Sequence, residues 1–237
     1  MMNKTITIGS LSAIALAFGM NFIGLGTATA VQFVPPNGEG APTKHSAGAS
    51  RDSGACAQNL NPGISTEPSM QALLPQSFSG KTISEHPTFF VYLPTAGVTE
   101  GFFSIKDENR KTHYRMAIPL SGEQGIVAIQ LPEEAKALEV DKNYQWLFTI
   151  KCNGQLHPSN PLVEGWITRV EGNSNWQQSN PIETATSLGA AGIWYDTIAT
   201  MASLRTNQPN DQNIAYHWQE LLGSVGLETL AHENVFE

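Results

Sequence analysis

The chain has 237 residues and a formal net charge of -8, with 13 Lys and Arg against 21 Asp and Glu. Phosphate binding relies on clustered cations, and the longest basic cluster is Arg110-Lys111, so nucleic acid and anionic membrane surfaces are excluded as partners. A hydrophobic share of 41% excludes a disordered chain and provides for one sizeable core with a small second unit.

Residues 1–30 have the layout of a signal peptide. Lys4 is a short positive start, residues 6–26 are mostly apolar or small, and Ala28-Thr29-Ala30 has the A-x-A form that precedes a cleavage site. Cleavage after Ala30 and export to the periplasm or the extracellular space are expected. The alternative is an uncleaved anchor, since the apolar run is long enough to just span a bilayer. No later run is apolar enough to span. Residues 31–69 are rich in Pro, Gly, Ala and Ser, which predicts a flexible linker, with order beginning near Met70.

Residues 70–172 carry six strand patterns. Residues 88–93, TFFVYL, are β-branched and aromatic and are bracketed by Pro87 and Pro94. Residues 101–106, 112–118 and 125–131 alternate, and Asp107-Glu108-Asn109-Arg110 makes a polar hairpin turn between the first two. Residues 144–152, YQWLFTIKC, are the central strand. Tyr144, Trp146, Phe148, Ile150 and Cys152 share its buried face. Residues 162–170 put Leu162, Glu164, Trp166, Thr168 and Val170 on one face, at core-type positions. Short strands separated by Gly, Pro and Asn predict a β-sandwich of immunoglobulin-like shape.

The period then changes. Over residues 180–231 the pattern predicts a hairpin of two helices packed on or next to the sandwich. Asn180-Pro181-Ile182-Glu183 reads as N-cap, Pro at N1 and Glu at N3. Ala191, Trp194, Ile198 and Met201 form the stripe of the first helix. Asp211 caps the second, whose stripe is Ile214, Trp218, Leu221, Leu222 and Val225, with Gly226 as its stop.

Four stretches in this order, SEHPTFFVYLP, YQWLFTIKC, VEGWITRVE and AAGIWYDTIATMASLR, resemble the domain of unknown function 928 family, exported proteins found mainly in cyanobacteria. The resemblance runs from about Met70 to Leu230 and implies the domain limits and export. The family has no established activity, cofactor or catalytic residues, so no chemistry is implied.

Cys56 and Cys152 are the only cysteines, and in an exported chain an even count predicts a disulfide between them, with two free buried thiols as the alternative. The six histidines are scattered, and none makes a metal-ligand spacing with another or with a cysteine, so no metal or other cofactor is expected. Ser84-Glu85-His86 is the densest polar cluster. Sequence neighbours do not make a triad, and a strand entry bonding local backbone is the simpler account. Glu85 and Glu164 form a remote candidate for a hydrolase carboxylate pair. Of five tryptophans, four sit at core positions, and Trp176 in a polar loop is the candidate surface contact.

Together these features predict a non-enzymatic interaction or scaffolding module of the cell envelope, with an unknown envelope protein as partner. The alternative is a carbohydrate or wall-polymer binding module, and the remote one a hydrolase.

Overall fold

The computed structural model describes residues 29–36 and 69–236, apart from residues 78, 95, 153, 159 and 179. The strands in chain order are β1 Gln71–Ala72, β2 Ser79–Thr82, β3 Thr88–Leu93, β4 Glu100–Asp107, β5 Thr112–Pro119, β6 Gly125–Gln130, β7 Asn143–Ile150, β8 Leu162–Arg169 and β9 Val235–Phe236. The helices are α1 Pro181–Ala190, α2 Trp194–Asn207 and α3 Gln212–Gly223. The protein is thus mostly β with its helices at the C-terminal end.

The strands form a five-stranded sheet in the order β2-β8-β7-β4-β5 and a four-stranded sheet in the order β1-β3-β6-β9. The alternation of the central strand decides what lies between them. Tyr144, Trp146 and Phe148 are at most 1% exposed, and Phe103 and Ile105 of the neighbouring β4 join them. Phe89 of the other sheet meets this layer, 4.8 Å from the Phe103 ring and 5.4 Å from Trp146. The same Phe89 ring lies 5.5 Å from Tyr195 on α2, so both sheets and a helix share one core.

Four expectations change. First, Trp166 is not core. The alternation of β8 is as expected, but Val163 and Ile167 face inward, fully buried, while Leu162, Glu164, Trp166 and Thr168 are half-buried on the outer face. The inward position between them is Gly165, where a Cβ would lie 2.3 Å from Leu74 Cδ1 and 3.0 Å from the Trp146 ring. The central tryptophan fills that space, so the inner face of β8 looks weak in sequence and the outer face looks heavy.

Second, residues 31–36 are not a loose linker. Val31 is 0% and Phe33 7% exposed, while Gln32 and Val34 face water, and the backbone is bonded to the helices. A stretch this short in apolar residues gives no periodic signal, so its partners had to be found elsewhere in the chain. The rest of the expected linker, apart from Ser69, and the expected signal segment up to Ala28 lie outside the described residues.

Third, the expected two-helix hairpin over residues 180–231 holds three α-helices among the described residues. Asn180 caps α1 by accepting from Ile182 N–H at 2.9 Å, and Asp211 caps α3 by accepting from Asn213 and Ile214 N–H, as the sequence indicates. Between Ala190 and Trp194 the chain turns instead of continuing. Ile193 N–H bonds Leu188 O, and Gly192 sits at φ +76°, the left-handed conformation that ends a helix. Fourth, β1, β2 and β9 join the sheets. β2 and β9 pair in parallel, with β8 and β6 respectively. Strands of two to four residues are too short to show a period.

Candidate functional site

Ser84 and His86 of the polar cluster, without Glu85, line a cleft where the turn after β2 meets α2. The cleft is about 230 Å³ and is lined by Thr82, Ser84, His86, Thr88, Gln130 and Asp196, among others. Asp196 is the residue that sequence inspection missed. It sits in the first turn of α2, and burial pushes its carboxyl above the usual aspartate range. Bonds from the Thr82 hydroxyl and from the Ile83 and Ser84 N–H groups oppose that shift. The Ile83 bond is 3.1 Å. Its only sequence signal is an acid in the first turn of a helix, where the dipole favours it.

Ser, His and Asp in one cleft invite comparison with a nucleophilic triad, and the bonding pattern answers it. His86 Nε2 lies 2.9 Å from Ala135 O, and Nδ1 lies 3.6 Å from Glu133, so the ring is turned toward the loop before β7. Ser84 Oγ accepts from the backbone N–H of His86 at 3.2 Å and closes a local turn. Asp196 bonds the backbone of that turn. Thr88 Oγ1 donates to Gln130 Oε1 at 2.8 Å, and Gln130 Nε2 donates to His86 O at 2.6 Å. The lining groups hold one another, which fits a strand entry better than a ligand site.

Glu85 pairs with Arg169 at 2.9 Å, whereas Glu164 accepts from Gln145 Nε2 at 3.1 Å, so each carboxylate of the remote hydrolase pair is engaged with a different partner. Among the described residues, no group of three or more His, Cys, Asp or Glu is placed to hold a metal ion. No helix among them is long and apolar enough to cross a membrane.

Trp176 ends a short 3-10 turn, Ser174–Trp176, and is half-buried rather than fully exposed, although its neighbours Asn175 and Gln177 face water. Cys152 is buried and is not a free thiol, and Cys56 lies outside the described residues.

Two surfaces of the five-stranded sheet lie apart from the cleft. One is β5, an eight-residue strand at the end of the five-stranded sheet, bonded to β4 on one side. Its Tyr114, Met116 and Ile118 are half-buried against the core, while Arg115, Ala117 and Pro119 are exposed. The other is the outer face of the same sheet. There Gln145 of β7 lies opposite Trp166 of β8, and Leu147 lies opposite Glu164.

Fold and surface together define a two-sheet β protein with docked C-terminal helices and a long sheet edge. The chain belongs to the family described as Domain of Unknown Function (DUF928), whose model matches residues 46–235. No curated protein matches it.

Proposed function

We propose that this chain is an exported protein of the cell envelope that works as a non-enzymatic interaction module, using β5 to pair with an extended segment of another envelope protein. The observation that carries this reading is the edge itself. An eight-residue strand ends the sheet; after a register shift at His113 its residues 114–119 pair with β4 without a break, and one row of backbone groups on such a stretch is a template for a further strand. The exposed Arg115 at its middle favours a partner segment with an acidic residue opposite. Export is supported by the A-x-A at Ala28-Thr29-Ala30. A Cys56–Cys152 disulfide is supported by Cys152 being buried and not free. The two sheets sharing one core, with Trp146 at the centre of β7, support an immunoglobulin-like description of the sandwich.

The test is affinity capture from envelope extract with the wild-type chain and with an Arg115→Glu, Ala117→Lys variant, both positions being exposed. Proteins captured by the wild type and lost by the variant, at unchanged melting temperature, are the expected result. Identical captures would rule out the edge.

A glycan-binding reading has one observation in its favour. The half-exposed Trp166 indole lies opposite an amide, Gln145, which is bonded to the Glu164 carboxylate. A flat ring beside planar polar groups suits the apolar face and hydroxyls of a sugar. A glycan array with Trp166→Ala and Trp176→Ala variants decides it: binding lost on either substitution would support this reading over the first.

A further inference from the structure

The residue expected to begin the processed chain is also the residue most firmly held at that end. Val31 is fully buried, and its backbone N–H donates to Nδ1 of His217 on α3 at 3.1 Å, across 186 positions of sequence. His217 is 2% exposed. With Nδ1 accepting, the ring is the neutral Nε2–H tautomer. Phe33 N–H donates to Ser224 Oγ at 3.0 Å, and Val34 N–H donates to Gly189 O at 3.0 Å. The Phe33 ring meets Trp194 edge-on at 5.2 Å.

The groove beneath is shaped for this backbone. At Gly189 a Cβ would lie 2.4 Å from Gln32 O, and at Gly192 it would lie 2.8 Å from Pro36 Cγ. Two glycines at the corner between α1 and α2 thus leave room for a chain, and a histidine on α3 ends the groove.

We propose that this groove is a binding site for an unblocked amino terminus, and that its ligand is the α-amino group of Val31, generated by cleavage of the Ala30–Val31 bond. The site selects a free amine followed by an apolar residue, a spacer and an aromatic, in extended form. Hydrolysis of the peptide bond leaves the carboxylate on Ala30 and the amine on Val31, so the atom that already faces His217 becomes an ammonium. One of its N–H groups donates to Nδ1. Thr29 is exposed and Ala30 half-buried, so their departure opens the other two protons to water. A charged donor bonds more strongly than an amide, and processing therefore tightens the strap on the helices. The inference rests on the cleavage reading above.

The test uses a recombinant chain with Val31 as its first residue, an amine-acylating reagent near neutral pH, and mass spectrometry of the N-terminal peptide. The α-amino group of the folded chain is expected to react about tenfold more slowly than in His217→Phe, the ratio for loss of one good bond. His217→Gln, whose carbonyl can accept from the amine, is expected to stay close to wild type. Equal rates in wild type and His217→Phe would overturn the site. If His217→Phe does not fold, the urea-unfolded wild type is the reference, and equal rates there overturn it as well. Intact mass of the exported protein separates the two claims. A chain retaining residues 1–30, with the recombinant amine still protected, removes the cleavage reading and leaves the site. A chain beginning at Val31 with an unprotected amine does the reverse.

Discussion

The Trp146 indole N–H donates to the Tyr195 hydroxyl at 2.7 Å, and that hydroxyl donates in turn to Trp166 O at 3.0 Å. A residue of the first turns of α2 thereby closes the polar positions of two adjacent strands, β7 and β8. Burial pushes the Tyr195 phenol well above its ordinary range, with the Trp146 bond opposing, so it stays a neutral donor at any physiological pH.

Tyr195→Phe removes the hydroxyl and leaves the Trp146 N–H and Trp166 O without it. It should cost about 1–3 kcal/mol, the range for orphaning buried polar groups. Trp218 is as buried as Trp146, but its indole N–H has no acceptor among the described residues. Trp218→Phe should therefore cost less in polar bonding than Tyr195→Phe. Urea unfolding of Tyr195→Phe checks its figure, and an unchanged midpoint would contradict it; in Trp218→Phe any loss reflects the smaller ring and no broken bond.

His217 makes stability depend on pH. Burial holds its folded pKa below the ordinary value of 6.5, with Glu220 acting in the opposite sense. Below about 6.5 the unfolded chain takes up a proton that the folded ring resists. Stability is therefore full above 6.5 and falls as the pH drops from there toward the folded value. Urea midpoints at neutral and mildly acidic pH should fall further for wild type than for His217→Gln, which does not titrate. Parallel losses would remove His217 as the cause.

Gly189→Ala tests the groove. The added methyl meets the Gln32 carbonyl, which is backbone and can move away only by lifting the strap. Alanine is otherwise favoured over glycine in a helix by about 1 kcal/mol. Limited proteolysis should cut near residues 31–36 faster in the variant while the sheets stay intact, whereas unchanged protection would show that the strap has room.

The proposed Cys56–Cys152 disulfide would close a loop of nearly 100 residues, worth about 4–5 kcal/mol in the chain-entropy model. Thiol labelling of the unfolded, unreduced exported protein should find no free cysteine, and reduction should lower the melting temperature. Labelling of both residues would sink the pairing.

The capped starts of α1 and α3 and the cores of β3 and β7 were legible in the sequence because local chemistry decides them. Asn180 and Asp211 cap their own helices within three residues. Thr88–Leu93 lies between its two prolines as read, and the Tyr144, Trp146, Phe148 face is buried by its own alternation. The cleft was half legible. Ser84 and His86 announce themselves, but Asp196 reaches Ile83 across 113 positions.

What only the tertiary structure decided is which surfaces meet. Period two shows that β8 has two faces, and the bulk of Trp146 against Gly165 chooses the inner one. A valine and a phenylalanine in a proline-rich stretch have no period at all. They become buried because His217, Ser224, Gly189 and Trp194 converge on them from three helices. Bonds within a turn are written in neighbouring residues. Burial between distant segments depends on shape and on backbone groups that every residue carries alike, so it leaves no local mark in the sequence.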